Sequence, residues 1–244
     1  MTERRSYHSR PAAMMRAMIL LGSTVVWTSV RAETLAELLS AVAVQASAPQ
    51  PLRADIHIER DDTPAGDAIL LARGVRVYIE TRSGTRALLS PGKAVVLRGN
   101  RVVRAAPDAA LEGTDVLLQD LEPFGVRSLS TPQVSDETPE RLVVTAAPTP
   151  PSAYVLLVHI IDREQDVIVQ TKYYRDSVSN LVKIRRDDGF SRVGGRWRPA
   201  TIAVQSLRDS TATRLSLAWH EAPDVPAALF TAAGLRTPSP LRWP

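Results

Sequence analysis

The chain has 244 residues, with 30 Lys and Arg against 26 Asp and Glu, a formal net charge of +4, and no cysteine. This length allows a sizeable core in one or two domains, and the lack of cysteine excludes disulfides, thiolate zinc sites and iron–sulfur clusters. The whole excess charge lies in the first 32 residues, which hold five arginines against the single Glu3. The remaining residues are formally neutral and few are aromatic, which makes nucleic acid a poor fit as a partner.

Residues 1–32 have the three parts of a secretory signal. A basic stretch ends at Arg16, an apolar run follows over residues 17–27, and Ala32 completes a cleavage site. The apolar run is shorter than the roughly 20 residues that a spanning helix needs. We expect cleavage after Ala32, export, and one mature domain over residues 33–244. An uncleaved anchor is the alternative, and Met14 or Met15 is an alternative start.

The mature chain begins with a pattern typical of one amphipathic helix. Thr34 and Glu37 have the spacing of a capping box, in which each side chain accepts a hydrogen bond from the other's backbone N–H. Apolar residues then recur at helical spacing: Leu35, Leu38, Leu39 and Val42.

After residue 51 the apolar period changes to two, which predicts β-strands. We expect ten or eleven short antiparallel strands, among them residues 52–59, 75–80, 154–161, 166–174, 180–186, 197–207 and 213–220. Residues 154–161 are apolar on both parities and predict a central strand covered on both faces. Six prolines within residues 122–151 interrupt the pattern, although residues 141–145 could still form a strand. The fold class is therefore mainly β, an α+β arrangement.

A large antiparallel sheet with one apolar face must cover that face. It can pack on a second sheet, curl into a barrel or curl around a helix. One helix is too small to fill a curved sheet of this size, so apolar volume is left that suits an apolar ligand. A filled core is the alternative, because cores and cavities share a composition. The candidates to line such a cavity are Ile56, Ile58, Val75, Val77, Ile79, Leu156, Val158, Ile160, Val204, Leu215 and Leu217.

No catalytic or metal site is predicted. His57 with Glu59, or His159 with Asp162, would need a third metal ligand that the sequence does not indicate. Ser191 lacks the second glycine of a nucleophile elbow. We expect no cofactor.

Several local motifs have a characteristic order along the chain. They are Pro-Gly followed by an apolar strand at residues 91–97, Gly-Thr-Asp to Asp-Leu at 113–121, a strand opening at Tyr154, Lys-Tyr-Tyr at 172–174, Gly-x-Trp-x-Pro at 195–199, Thr-x-Leu at 213–215, and a closing Pro to Phe-Thr to Leu segment at 226–235. Together with the early helix, they resemble the LolA-like family of periplasmic outer-membrane lipoprotein-sorting proteins, over about residues 34–237.

The resemblance implies an open half barrel formed by one curved antiparallel sheet. The N-terminal helix, with Leu35, Leu38, Leu39 and Val42, and short lid helices would cover an apolar cavity for acyl chains. It also implies a periplasmic, non-enzymatic carrier with an acylated lipoprotein or lipid as ligand and transient membrane contact. An inner-membrane transporter and an outer-membrane acceptor would be its partners. The alternatives are an envelope sensor or interaction domain with the same half barrel, and an enzyme such as an esterase.

Overall fold

The computed structural model describes residues 34–237 and 241–243. The predicted signal segment, residues 1–32, lies outside the described residues. Within them, no helix combines the length and the hydropathy that crossing a membrane requires.

The described residues form one α-helix and fifteen strands. The helix is α1 (Leu35–Ala46), and the strands are β1 (Ala48–Arg60), β2 (Thr63–Gly74), β3 (Arg76–Thr81), β4 (Arg86–Ser90), β5 (Lys93–Arg98), β6 (Arg101–Arg104), β7 (Leu129–Glu137), β8 (Arg141–Pro148), β9 (Leu156–Asp162), β10 (Val167–Tyr174), β11 (Leu181–Asp188), β12 (Ser191–Val193), β13 (Arg196–Arg198), β14 (Thr201–Ser206) and β15 (Thr211–Glu221). Short 3₁₀ helices lie at Leu118–Leu121, Val126–Ser128, Ala227–Phe230 and Gly234–Arg236.

Thirteen of these strands form a single open sheet in the order β6-β5-β4-β3-β2-β1-β15-β14-β11-β10-β9-β8-β7, and every neighbouring pair is antiparallel. β12 and β13 form a separate hairpin. This confirms the predicted half barrel with an N-terminal helix, with more strands than the ten or eleven expected. One of the additional strands, β7, lies in the proline-rich stretch, where an edge position tolerates Pro132 because its nitrogen needs no ladder partner.

The capping box predicted for α1 is present. The Glu37 backbone N–H donates to Thr34 Oγ1 at 3.2 Å, and the Thr34 N–H donates to Glu37 Oε2 at 2.9 Å. At the other end, the Arg198 guanidinium donates to the carbonyl oxygens of Gln45 (2.8 Å) and Ser47 (2.6 Å). Both sets of bonds satisfy backbone groups that the helix itself leaves unpaired. Because Arg198 belongs to β13, its bonds also fix where the end of α1 lies against that strand.

The sheet has two covered faces. We call the face that packs against α1 and residues 109–121 the inner face, and the opposite face the outer face. On the outer face, Leu229, Phe230 and Leu235 of the C-terminal segment pack against β2 and β3. The strands covered on both faces are therefore β2 and β3, whose residues 69–72 and 77–81 are all buried.

The prediction of a doubly covered strand over residues 154–161 is corrected. The strand there, β9, begins at Leu156; His159 and Ile161 are buried on its inner face, while Leu156, Val158 and Ile160 are only half-buried. The reason is that the C-terminal segment returns to β2, a contact distant in sequence that local hydrophobicity does not indicate.

Candidate ligand-binding cavity

Over β1–β5, β14 and β15, most of the inner face is a filled core. Residues 111–124, which we call the covering loop, place Leu111, Val116, Leu118 and Leu121 against the strands. Seven of the eleven predicted cavity residues belong to this cluster: Ile56, Ile58, Val77, Ile79, Val204, Leu215 and Leu217. These seven residues therefore belong to the filled core, whereas a neighbouring part of the same face borders a cavity.

A cavity of about 270 Å³ lies beside that core, between α1, the covering loop and the inner face of β2, β3, β9–β11, β14 and β15. Of the predicted residues, Val77 and Leu217 line it. Its other apolar lining includes Val42, Phe124, Leu157, Ile168 and Trp219. The volume is just below the range of about 300–1,000 Å³ usual for small-molecule sites.

The remaining predicted cavity residues do not line this space. Leu156, Val158 and Ile160 alternate along β9 with Leu157 and His159, which do line it. Val75, between β2 and β3, is 50% exposed. A role of any of the eleven in ligand binding stays a prediction.

The predicted lid residues of α1 form one packed group. Leu38, Leu39 and Val42 are buried against Leu142, Val144 and Ile161 of β8 and β9, and Leu35 packs at the border of that cluster. Among these helix residues, Val42 reaches the cavity.

Asp120 joins the covering loop to the sheet through a buried polar network. Its carboxylate accepts hydrogen bonds from the Tyr154 hydroxyl (2.7 Å), the Lys183 ammonium (2.7 Å) and the Leu117 backbone N–H (2.8 Å). Lys183 also donates to the carbonyl oxygen of Asp115 at 2.6 Å. Asp120 and Lys183 are both buried, where an unpaired charge is costly, and each provides the counter-charge of the other.

A second ion pair lies next to the first on β11. Arg185 binds the Asp187 carboxylate through two hydrogen bonds of 2.6 Å each and donates another to the carbonyl oxygen of Asp120. Burial disfavours the Arg185 cation, but the Asp187 carboxylate, together with Tyr173 and Asp120, more than offsets this and raises the pKa of Arg185 above its ordinary value. The backbone of the covering loop is thus bonded to two adjacent cationic side chains of one strand.

Strand register places His159 beside this network. His159 of β9 lies opposite Thr171 of β10, which in turn lies opposite Arg185 of β11. The Nδ1 atom of His159 is 3.0 Å from Thr171 Oγ1, and the Phe124 ring lies edge-on to the imidazole. Burial, and secondarily the Arg185 charge, lower the pKa of His159 to about 4, so the imidazole is neutral at pH 7.

Glu122 is the titratable group at the end of the covering loop. It lines the cavity and its Oε2 accepts a hydrogen bond of 2.8 Å from the Gly92 N–H, at the β4–β5 turn. Burial, aided by the nearby Asp120 charge, raises the pKa of Glu122 to about 7. A carboxyl in the cavity wall therefore titrates near neutral pH.

The histidine–acid pairs considered from the sequence are not brought together as metal ligands. His57 is paired with Asp67 of β2 at 3.0 Å, and Asp162 accepts backbone hydrogen bonds within its own turn. Among the described residues, no group of three or more His, Asp or Glu side chains could hold a metal ion.

Sequence reasoning missed Asp120, Tyr154, Lys183 and Arg185 as members of one cluster. A partial signal exists on β11, where Lys183, Arg185 and Asp187 alternate with other residues and so share one face of an otherwise apolar sheet. The partner Asp120 lies 63 residues from Lys183, and no local pattern connects the two.

Comparison with protein families gives one match that covers much of this region. A family model described only as that of an uncharacterized protein matches residues 98–237, more than half of the chain. The chain belongs to this family. The matched range includes the covering loop, β7–β15 and every member of the polar network. No curated protein matches this chain.

Solved structures identify the fold of this family member. A domain from Vibrio parahaemolyticus named for outer membrane lipoprotein sorting has a TM-score of 0.68 at 13% identity, covering 82% of this chain and 97% of that one. A DUF1329 family protein from Desulfovibrio piger has a TM-score of 0.65 at 15% identity, covering 81% and 97%. A LolA superfamily protein from Nitrosomonas europaea has a TM-score of 0.63 at 18% identity, covering 82% and 98%. The fold is LolA-like, as the sequence motifs predicted.

Proposed function

We propose that this protein is a periplasmic carrier or binding protein that shields the acyl chains of a lipoprotein or lipid during transfer toward the outer membrane. The observation that carries the proposal is the cavity on the inner face, whose lining is largely apolar and which the covering loop and α1 border. Burying a methylene group is worth about 0.8 kcal/mol, so an acyl chain can bind without a charged anchor. The Vibrio domain of similar structure is named for outer membrane lipoprotein sorting, which supports the proposed class of ligand.

Loading requires the cavity to enlarge, because about 270 Å³ is small for an acyl ligand. The second half of the covering loop, residues 119–124, is the element we expect to move. Asp120, Lys183 and Arg185 hold it by polar bonds that can be exchanged for water, whereas the apolar face of α1 is packed on β8 and β9. Transfer then follows differential affinity, in which an acceptor that binds the acyl chains more tightly removes them. An inner-membrane transporter as donor and an outer-membrane protein as acceptor complete the proposal.

A catalytic role is not part of the proposal. The nearest arrangement to a nucleophile and base is Thr171 Oγ1 with His159 Nδ1, at 3.0 Å. A hydrolytic triad needs a third group that orients the imidazole through its other nitrogen. Among the described residues, no carboxylate bonds His159 Nε2.

The carrier function is tested by filling the cavity from one side of β9. Leu157→Trp places the larger side chain in the cavity, and the matched Val158→Trp places it on the other face of the same strand. We expect delipidated wild-type protein and Val158→Trp to bind a fluorescent fatty acyl probe, and Leu157→Trp to lose at least tenfold in affinity, roughly the effect of 1.4 kcal/mol.

Circular dichroism and thermal unfolding check that both variants fold, and Leu157→Phe is a smaller substitution if Trp overpacks the site. Absence of probe binding by the wild-type protein, together with no lipid in mass spectra of material purified from the native envelope, would overturn the proposal. Equal affinity in Leu157→Trp and Val158→Trp would mean that the ligand lies elsewhere.

The envelope sensor or interaction domain stays the alternative prediction. It uses the same half barrel, with lipid only modulating a protein contact. A stoichiometric membrane or regulatory protein in a pull-down from the envelope would favour it.

A further inference from the structure

One buried cation of the cavity wall has no carboxylate partner. Arg198 of β13 lines the cavity and is 6% exposed, and among the described residues no Asp or Glu forms an ion pair with it. Lys183 and Arg185 differ in this respect, because they are paired with Asp120 and Asp187. The positive charge of Arg198 is therefore not neutralised by a neighbouring side chain.

Further arginines lie close to Arg198 on the same hairpin. Burial, with the charge of Arg196 as a second cause, lowers the pKa of Arg198 to about 10, so the side chain is still a cation at pH 7. On the neighbouring strand β12, the Cζ atom of Arg192 lies 4.9 Å from the centroid of the Trp197 ring. An anion beside Arg198 would offset both the cost of burying its charge and the repulsion from Arg196.

The Arg198 guanidinium keeps unused hydrogen-bonding capacity. Its Nη atoms donate to the carbonyl oxygens of Gln45 (2.8 Å), Ser47 (2.6 Å) and Trp197 (3.4 Å). A guanidinium has more N–H donors than these bonds use, and the Nε–H of Arg198 is buried with no acceptor among the described residues. Carbonyl oxygens carry only partial charges, so these bonds hold the side chain in position without supplying a counter-ion.

Two carboxyl groups elsewhere in the cavity wall have no cationic partner among the described residues, but neither neutralises Arg198. Glu122 is bonded to the Gly92 N–H at the β4–β5 turn, and Asp166 lies in the turn between β9 and β10. Arg198 is bonded instead to the end of α1, and its pKa is lowered, which is the opposite of the effect of a nearby carboxylate. An uncompensated positive charge therefore remains at β13.

Apolar surface adjoins this cation in the cavity wall. The Cζ atom of Arg198 lies 5.8 Å from the centroid of the Trp219 ring, and Trp219 and Leu217 both line the cavity. The indole N–H of Trp219 donates to the carbonyl oxygen of Pro199 at 2.9 Å, so the polar atom of this side chain is already bonded. The ligand that fits a buried cation beside apolar surface is an amphiphile with an anionic group.

We propose that Arg198 binds the anionic head group, a carboxylate or a phosphate, of an acyl ligand, and that the protein therefore prefers anionic lipids to uncharged acyl esters. The inference rests on the proposed carrier function, since it assigns the ligand class of the same cavity. The head group accepts hydrogen bonds from the guanidinium, and the acyl chain lies along apolar lining that includes Val42, Leu157 and Leu217. Because its bonds to α1 already fix the guanidinium, binding requires little further ordering of this side chain.

The test compares 1-pyrenedecanoic acid with its methyl ester, which carry the same chain and fluorophore. The acid is ionised in water at pH 7.5. We expect delipidated wild-type protein to bind it at least tenfold more tightly than the ester, because a charge-assisted hydrogen bond is stronger than a neutral one. Dodecanoate and dodecyl phosphate then serve as competitors, and the one that displaces the acid at the lower concentration identifies the preferred head group.

Arg198→Gln removes the charge and keeps an amide that can donate to the carbonyl oxygens at the end of α1. We expect the preference for acid over ester to fall to about twofold or less, whereas a purely structural role of Arg198 would weaken the binding of both ligands alike. Arg198→Lys keeps the charge and should retain part of the preference. Arg186→Gln, at an exposed position of β11, is the matched control and should keep the wild-type preference.

Nuclear magnetic resonance of bound dodecanoic acid, labelled with carbon-13 at its carboxyl group, is a second readout that needs no variant. The carboxyl signal is followed against pH in the complex with wild-type protein. A carboxylate beside Arg198 stays ionised, so the midpoint of its titration should lie below about pH 6. Burial without a counter-charge would raise the midpoint above that value.

The outcomes separate this inference from the carrier function. If neither pyrene probe binds, the proposed function fails. If acid and ester bind the wild-type protein equally, or the bound carboxyl group titrates above about pH 6, the carrier function stands and the head-group site at Arg198 is wrong. An Arg198→Gln variant that folds, as judged by its unfolding curve, and keeps the wild-type preference also overturns that site.

Discussion

Glu122 is half-buried in the cavity wall and, unlike the buried Asp120 and Asp187, has no cationic partner within hydrogen-bond distance among the described residues. Lys183 and Asp120 pair at 2.7 Å, and Arg185 and Asp187 pair at 2.6 Å. Glu122 accepts a hydrogen bond from the Gly92 N–H, and this only partly offsets the burial that raises its pKa to about 7. Its ionisation is therefore unfavourable in the folded protein.

The variant Glu122→Gln tests whether ionisation of Glu122 destabilises the folded protein. The folded pKa is about 7 and the reference value is 4.5, so the neutral carboxyl stabilises the folded state at low pH. That contribution is lost as the pH rises from about 4.5 through 7. Since the carboxyl is only partly withdrawn from water, we expect Glu122→Gln to be about 1–2 kcal/mol more stable than wild type at pH 8 and equal to it at pH 4.5.

Urea unfolding curves at pH values from 4.5 to 8 measure the difference between the two proteins. Glu140→Gln, on an exposed turn, is the matched control. A difference between Glu122→Gln and wild type that does not change over this range would contradict the prediction.

At the scale of elements, the covering loop combines two kinds of attachment. Leu111 and Val116 anchor its first half in the apolar core, while Asp120 and the carbonyl oxygen of Asp115 are bonded to Lys183 of β11. Apolar burial gives no preferred direction, whereas the bonds from Lys183 specify one position of the loop over the sheet. The loop is thus both part of the core and the wall of the cavity.

Lys183→Met removes the cation and leaves the Asp120 carboxylate buried without a counter-charge. We expect a loss of about 3 kcal/mol in the free energy of unfolding and faster amide hydrogen exchange over residues 115–121. Lys172→Met, on the opposite parity of β10 from Thr171 and Tyr173, should change stability by less than about 0.5 kcal/mol.

A double variant, Asp120→Asn with Lys183→Met, should regain part of the loss, because no buried charge is then unpaired. Two results would contradict the assignment of this ion pair. One is equal stability of Lys183→Met and Lys172→Met. The other is a double variant that is less stable than Lys183→Met, as expected if the two substitutions acted independently.

Across the whole molecule, an open sheet leaves an outer face and two edges to protect. The C-terminal segment covers the apolar outer side of β2 and β3 with Leu229, Phe230 and Leu235. At one edge, β5 and β6 expose Lys93, Arg98, Arg101 and Arg104. At the other, β7 has Pro132 and two register shifts. Charges, prolines and bulges all hinder pairing with a further strand, so they keep an open sheet from aggregating.

Phe230→Ala tests the cover on the outer face. Phe230 is 2% exposed, and removal of a buried Phe side chain typically costs about 3–5 kcal/mol. We expect a loss of that size in thermal or urea unfolding, with increased binding of a hydrophobic dye. Val178→Ala, at a residue that is 69% exposed, is the control and should differ from wild type by less than about 0.5 kcal/mol. Equal stability of the two variants would show that the C-terminal segment is not needed for the sheet.

Much of the fold could be predicted from the sequence because the signals are local. The capping box at Thr34 and Glu37 gives the start of α1 within a few residues. Alternation gives β1 and its neighbour β15, since a half-buried strand needs one apolar parity. The order of the motifs correctly indicated the LolA-like half barrel.

The candidate site could be predicted only in part. Both parities of β9 are apolar, so the sequence does not distinguish Leu157 and His159, which line the cavity, from Leu156 and Val158, which do not. Residues such as Ile56 are apolar enough for either a core or a cavity. The covering loop decides between the two, because it fills the space over the strands it reaches and leaves the rest open.

By itself, the sequence determined the helix, most strands and the one-sided apolar character of the sheet, because capping and alternation act between residues a few positions apart. Only the tertiary structure decided which parts of the apolar face are filled, how the C-terminal segment covers β2, and that Asp120 pairs with Lys183. These depend on contacts between distant segments, whose partners are set by the packing of the whole chain and not by local pattern.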